Sequence, residues 1–371
     1  MAKRFTWLMF AMLMAAVSLP AQAKIVGVGG CNPHIKNYPT ISSAVGDLTN
    51  AGATIQVCAA AGSGTGGSYP EQVTISQPLT LEGVANGNSL RAVISVPSGT
   101  LSTNVTSIIG QSLFAQVLVE AGPVNITGIT VDGTGGSIGC SATAGLVGIF
   151  YESGAKGTIN QATTRNQVSS GCGTGIWVEN GAAVANLITI ENSSIENMDE
   201  QGIFATSNQQ PSTLQVAIQG NSVTASAFPP TAGIVAVGIS GKIQKNVVTS
   251  GIYGIESIVS STSVLSNVVA DIRDSGNGNG LYLTPGATAQ NNNVSDADIA
   301  FSLEPGQEPG PTLKGNASMN SITSVEFSCN ANATVQANRL MDSLSGFDSV
   351  PVFPKGNQFY DIDTIQTGTC P

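Results

Sequence analysis

Gly233-Ile234-Val235-Ala236, Ile243-Gln244-Lys245-Asn246, Gly254-Ile255-Glu256-Ser257, Val264-Leu265-Ser266-Asn267: within residues 233–267 a two-part phrase is stated and then restated. The first part is a Gly followed by two apolar residues that straddle a third. The second is an apolar residue, two variable positions and an Asn. Working outward, the Gly phrase returns as Gly148-Ile149-Phe150-Tyr151, Gly175-Ile176-Trp177-Val178, Gly202-Ile203-Phe204-Ala205 and Gly280-Leu281-Tyr282-Leu283. The Asn phrase returns as Ile218 to Asn221, Leu313 to Asn316 and Val335 to Asn338. Looser copies are Ala289 to Asn292 and Ile190 to Ser193, the latter with its Asn one place early at Asn192. A phrase that recurs every ~20–30 residues from Gly145 to Asp342, without helical periodicity, is the mark of a solenoid.

The apolar positions alternate with period two over three to five residues, and Val, Ile and Thr abound, so each half-phrase reads as a short strand. Gly and Asn between strands supply the left-handed backbone angles of sharp corners. Short strands with no room for a helix wind into a parallel β-helix whose coils stack at ~4.8 Å. Equivalent residues then lie above one another, and the Asn column becomes a ladder of corner amides.

Residues 1–23 read as an export signal, with Lys3 and Arg4 as the basic end, Phe5 to Leu19 as the apolar run and Ala21-Gln22-Ala23 as the cleavage site. The expected location is secreted or periplasmic, with no membrane insertion. Without Lys3 and Arg4 the 13 basic residues fall to 11 against 23 acidic, a net charge of −12. That surface speaks against nucleic acid as a partner. Six cysteines in an exported chain suggest three bridges, and proximity favours Cys31–Cys58, Cys140–Cys172 and Cys329–Cys370. Zinc is a poor rival, since there is no Cys-x-x-Cys and His34 is the single histidine. Residues 24–83 read as an N-terminal cap with the first coils, 84–342 as the β-helix and 343–371 as a C-terminal cap carrying Phe347, Phe353, Phe359 and Tyr360. The chain reads as a monomer.

The N-terminal cap opens on a short helix, capped by Thr40 or Ser42, with Ile41, Ala44, Val45 and Leu48 on one face. After it come Thr54-Ile55-Gln56-Val57, then Gly67-Ser68-Tyr69-Pro70-Glu71-Gln72-Val73-Thr74-Ile75, then Leu79-Thr80-Leu81-Glu82-Gly83. This succession resembles the opening of right-handed parallel β-helix proteins of the pectin lyase-like superfamily, and Val124 to Gly133 is similar to one of their rungs. The resemblance implies an all-β fold, a right-handed parallel β-helix with a short N-terminal capping helix. It implies no single chemistry, because the superfamily mixes lyases, hydrolases, esterases, epimerases and binders. The Gly-His-Gly setting of polygalacturonases, the Asp-Phe-Ile-Phe-Gly run of pectin esterases and the Arg-x-Pro-x-x-Arg pattern of many pectate lyases are all missing.

In the Gly-led strand the residue after Gly points inward and the next outward. The outward column runs Phe150, Trp177, Phe204, Val235, Glu256, Tyr282, and a neighbouring column begins Glu152, Glu179, Thr206. Aromatic rings with carboxylates beside them, on a flat sheet face, suit sugar recognition. Phe150, Trp177, Phe204, Glu256 and Tyr282 are therefore candidate substrate contacts for a polysaccharide or cell-surface glycan. Glu152 and Glu179, about 5 Å apart on adjacent rungs, are candidate catalytic carboxylates. The competing reading is that a coil insertion, such as the segment between Asn208 and Phe228, covers these rings as ordinary packing.

A further acidic column lies four residues after the ladder Asn and holds Asp271 and Asp296, with Asp274 and Asp298 close by. Pectate lyases of this fold use Asp-bound Ca²⁺ and an Arg base, so the resemblance makes Asp271, Asp274, Asp296 and Asp298 candidate Ca²⁺ ligands beside Arg273. The residue-level reading is that Asp is simply a favoured turn residue. The function expected is a secreted β-helix that binds a polysaccharide along one sheet face. If it cleaves one, it does so as a lyase or glycoside hydrolase. The alternative is a non-catalytic extracellular scaffold or adhesin-like protein.

Overall fold

The computed structural model describes residues 24–30, 32–59, 67–85, 91–98, 101–136, 144–209, 211–225, 231–306, 309–328, 332–348 and 356–367. The expected export signal lies outside these residues, as do Cys31, Cys140, Cys329, Cys370 and Phe353. Cys58 and Cys172 lie within them, and both are disulfide-bonded.

A full coil is made of three strands, as in Asn186–Glu191, Ser194–Glu196 and Gln201–Ser207. Each pairs in parallel with its copy on the coils above and below. The first strands build a 13-stranded sheet, and the other 23 described strands run as two further columns, here the second and third sheets. The fold is thus all-β, a right-handed parallel β-helix.

Apolar side chains stack in file inside it. On the first sheet Ile126, Ile159, Ile190, Ile218, Ile243 and Val264 are successive register partners, all buried. The two polar columns read from sequence are the corners between sheets. The residue just before each ladder amide takes a left-handed conformation, at φ 55° for Lys245, 53° for Ser266 and 57° for Ala337. Asn246 Oδ1 accepts from the backbone N–H and the Nδ2 of Asn221, each at 3.0 Å. Asn246 Nδ2 donates to Ile218 O and to Asn267 Oδ1, also at 3.0 Å. The same pattern runs through Asn267, Asn292, Asn316 and Asn338 to Asn357. From Asn246 to Asn338 both donors and both lone pairs of each buried amide are thereby used, which makes the ladder a satisfied polar network. One rung corrects the sequence reading: the ladder slot of the early coil is Ser193, whose N–H donates to Asn221 Oδ1. Asn192 instead takes the left-handed corner.

The recurring Gly has its own cause. A Cβ at Gly254 would stand 2.4 Å from Gly280 O and 2.4 Å from Val269 Cγ1, and Gly202 and Gly233 are similarly crowded. Coils approach too closely there for any side chain.

The N-terminal helix, Ile41–Gly46, is capped by Thr40, whose hydroxyl accepts from Ser43 N–H. Glu71 reinforces the start by accepting from the N–H groups of Ile41 and Ser42. Ile41, Ala44 and Val45 are buried as expected, but Leu48 is 78% exposed, because the helix has ended and a 3-10 turn, Leu48–Asn50, follows. At the other end Phe347 is buried with Phe359 against it, while Tyr360 is 46% exposed.

Candidate functional site

The outward column of the third sheet is a physical row. Phe150, Trp177, Phe204, Val235, Glu256 and Tyr282 are successive register partners, and the row continues through Ser302 and Glu326 to Asp348. Its two halves differ.

The N-terminal half is roofed. Phe150, Trp177 and Phe204 are 0%, 1% and 6% exposed. Trp177 meets Phe204 edge-on at 4.6 Å between ring centroids and Phe150 at 5.9 Å. The roof begins with an antiparallel hairpin, Val105–Thr106 against the start of Ser112–Val119, whose Val105, Leu113, Ala115 and Leu118 form one apolar cluster with these rings. These aromatics are therefore packing in this structure and not an open sugar platform. A stack of rings on a solvated sheet is a large apolar patch, and an upstream segment has buried it. This hairpin, from before the aromatic rungs, is the described part of the cover; of the segment between Asn208 and Phe228, residues 210 and 226–228 lie outside the described residues.

Glu179 is 1% exposed beneath that roof. It accepts from Ile108 N–H, 3.1 Å from Oε1, and from Trp177 Nε1–H at 3.2 Å. Burial pushes its carboxyl up to about 7 against those donors, and the Glu152 charge adds to the rise. Glu152 is half-buried, with its pKa raised by burial and by Glu120. The two are on adjacent rungs, as expected from sequence, but one is covered and already hydrogen-bonded.

The C-terminal half is half-exposed. Glu256, Tyr282 and Glu326 point outward, flanked by Tyr253 and Asn279 on one side and Glu304 on the other. Burial raises the Glu256 carboxyl to about 7. Burial, then Glu304 and Glu256, raise the Tyr282 hydroxyl. Glu326 is raised by burial and then by Asp348 and Glu304. Four carboxylates and two phenols thus share one short stretch of sheet. Of these, sequence reading found Glu256 and Tyr282 only. Glu304 and Glu326 were missed because Ala300 and Ser324 replace the leading Gly; Tyr253 stands just before a Gly phrase, and Asp348 follows Gly346-Phe347 where Ser349 replaces the second apolar residue. The surviving signal is the straddling apolar pair, Phe301-x-Leu303 and Val325-x-Phe327.

The four aspartates read as Ca²⁺ ligands sit at corners and loops of the coil. Among the described residues no group of three or more His, Cys, Asp or Glu is arranged to hold a metal ion. Asp271 and Asp296 are left-handed corner residues, at φ 59° and 54°. Asp298 is spent on backbone: its Oδ2 accepts from the N–H groups of Asp274, Gly276 and Gly278 at 2.5, 3.0 and 3.0 Å. Although burial opposes it, those donors and Arg273 hold its pKa low. Arg273 itself stands 3.8 Å from both Asp296 and Asp298. Asp199 does the same for Ser169, Gly171 and Gly173. In both places a loop of pattern x-Ser-Gly-x-Gly curls into a nest of N–H groups that an Asp of the next coil fills.

No family model matches the chain, and no curated relative does. Among solved structures it is similar to the lacto-N-biosidase of Eubacterium ramulus, at 12% identity over 94% of this chain and 68% of that one, with a TM-score of 0.48. It is similar to a double mutant of the periplasmic alginate epimerase AlgG, at 12% identity over 85% and 71%, with a TM-score of 0.43. It is also similar to the Streptococcus pneumoniae surface protein and adhesin PfbA, at 14% identity over 89% and 94%, with a TM-score of 0.42. Likenesses of this size concern architecture, and no residue or substrate is carried across from them.

Proposed function

We propose that this is an exported protein that binds a polysaccharide along the C-terminal half of the third sheet's outer face. The observation that carries the reading is the row Glu256, Tyr282, Ser302, Glu326, in register at ~4.8 Å per rung, in which all but the buried Ser302 are half-exposed. Tyr282 and Tyr253 offer ring faces for sugar stacking, and the carboxylates accept hydroxyl hydrogen bonds. Glycan-array binding by the mature chain tests it. A Tyr282→Ala variant that folds normally is expected to lose the signal, and a blank array for the unaltered protein rejects the reading.

Cleavage by Glu152 and Glu179 requires the segment over Trp177 to leave. Reducing-sugar and unsaturated-product assays on any bound glycan report whether it does. The roof favours a second reading for the N-terminal half, in which those coils are scaffold. No helix among the described residues is long and apolar enough to cross a membrane.

A further inference from the structure

We infer that the polysaccharide taken by these open rungs carries free amino groups, a hexosamine polymer, in preference to a neutral or a uronate chain. The inference rests on the polysaccharide reading above and adds the charge class of its ligand.

The face offers acceptors and no cation. The strands Tyr253–Ile258, Asn279–Leu283, Ile299–Leu303 and Thr323–Phe327 contain neither Lys nor Arg. Glu256, Glu304 and Glu326 stand on or beside their outward column. The nearby cation Arg273 already faces Asp296 and Asp298. Glu304 and Glu326 on adjacent rungs, and Glu256 two rungs from Glu304, fall at or inside a Debye length of about 8–10 Å, so a uronate chain laid across them meets like charge.

An independent observation concerns Asn279. It pairs in register with Tyr253 and is only 9% exposed. Its Nδ2 donates to Asn277 O at 2.9 Å, but its buried Oδ1 has no hydrogen-bond partner. A buried carbonyl oxygen without a donor is costly. An ammonium or hydroxyl donor entering beside Tyr253 would satisfy it. The rings of Tyr253 and Tyr282 suit the same ligand, since a cation is attracted to an aromatic face. Uronate recognition needs positive charge, and these strands supply none.

Titration calorimetry on the mature chain with three hexamers tests this: glucosamine, N-acetylglucosamine and mannuronate. The glucosamine hexamer is expected to bind at least ~10-fold tighter than its N-acetylated form, and severalfold weaker when salt is raised tenfold. The mannuronate hexamer is expected not to bind. The double substitution Glu256→Gln with Glu326→Gln reduces the glucosamine hexamer to the level of the N-acetylated one. The matched pair Glu82→Gln with Glu191→Gln, on the first sheet, leaves it unchanged. Equal or tighter binding of the N-acetylated or mannuronate hexamer overturns the inference while leaving the polysaccharide reading intact. So does a loss of glucosamine binding in the first-sheet variant. A blank for all three alongside a blank glycan array removes the polysaccharide reading itself. Melting curves of each variant separate lost binding from lost folding.

Discussion

The backbone N–H of Ile108 points at the carboxylate of Glu179, 3.1 Å from Oε1 and 3.2 Å from Oε2, across 71 residues of chain. That contact ties the roof to the rung beneath it. It separates the third sheet into a closed aromatic half and an open acidic half.

Its pH dependence follows. Burial raises Glu179 from its ordinary 4.5 to about 7, so the folded protein keeps a proton that the unfolded chain has released. The stability from this group is complete below about pH 4.5 and is lost as pH rises to about 7, a loss on the order of 3 kcal/mol. Glu200 and Glu256 are raised to about 7 as well and act with the same sign, so the difference between proteins is the readout. Glu179→Gln keeps an acceptor for Ile108 and cannot titrate. Its melting temperature should fall less than that of the unaltered protein between those pH values. Parallel curves would contradict the assignment.

Trp177 is a core residue on the outside of the coil. Trp177→Ala should cost ~3–5 kcal/mol, the range for large aromatic truncations, and expose the cluster beneath the roof. Chemical denaturation measures it. A cost below about 1 kcal/mol would mean that the rings are not packed as described.

Much of this was legible in the sequence, and the limits have physical causes. The Gly and Asn phrases carry the coil because each answers a constraint repeated at every rung. Gly254 has no room for a Cβ, and Asn267 alone fills its corner with two donors and a two-way acceptor. The acidic column was legible as spacing, but its cause is the left-handed corner taken by Asp271, Asp296 and Asp342. That is a backbone demand which Asp and Asn meet alike. The roof was hidden because Val105 and Leu113 belong to no repeat, and nothing local announces that they will cover Trp177. The open face was half-read because the phrase loses its Gly at Ala300 and Ser324.

Removing one ladder amide should be expensive. Asn267→Ala deletes the acceptor used by Asn246 N–H and Nδ2 and the donors to Ile243 O and Asn292. With buried partners left unpaired, a loss of ~2–4 kcal/mol is expected. The exposed Asn293→Ala should change stability by less than about 0.5 kcal/mol. Equal effects of the two in urea unfolding would refute the ladder.

The Gly column makes a steric prediction. Gly254→Ala forces a Cβ against Gly280 O and Val269 Cγ1, and ~1–3 kcal/mol should be lost, the usual penalty of overpacking. Gly30, with nothing within 4 Å of a built Cβ but φ at 75°, is the control in which strain alone acts. A more stable Gly254→Ala protein would show that the coils do not approach as described.

The most direct measurement of the division between the two halves is the dissociation constant of one bound glycan for Tyr282→Ala and Trp177→Phe, each with its melting temperature. Binding at the open rungs predicts a loss of about tenfold for Tyr282→Ala at unchanged melting temperature, as expected for one stacked ring. It predicts no loss for Trp177→Phe. The reverse, with binding abolished by Trp177→Phe and untouched by Tyr282→Ala, would place the ligand on the aromatic rungs and contradict the account.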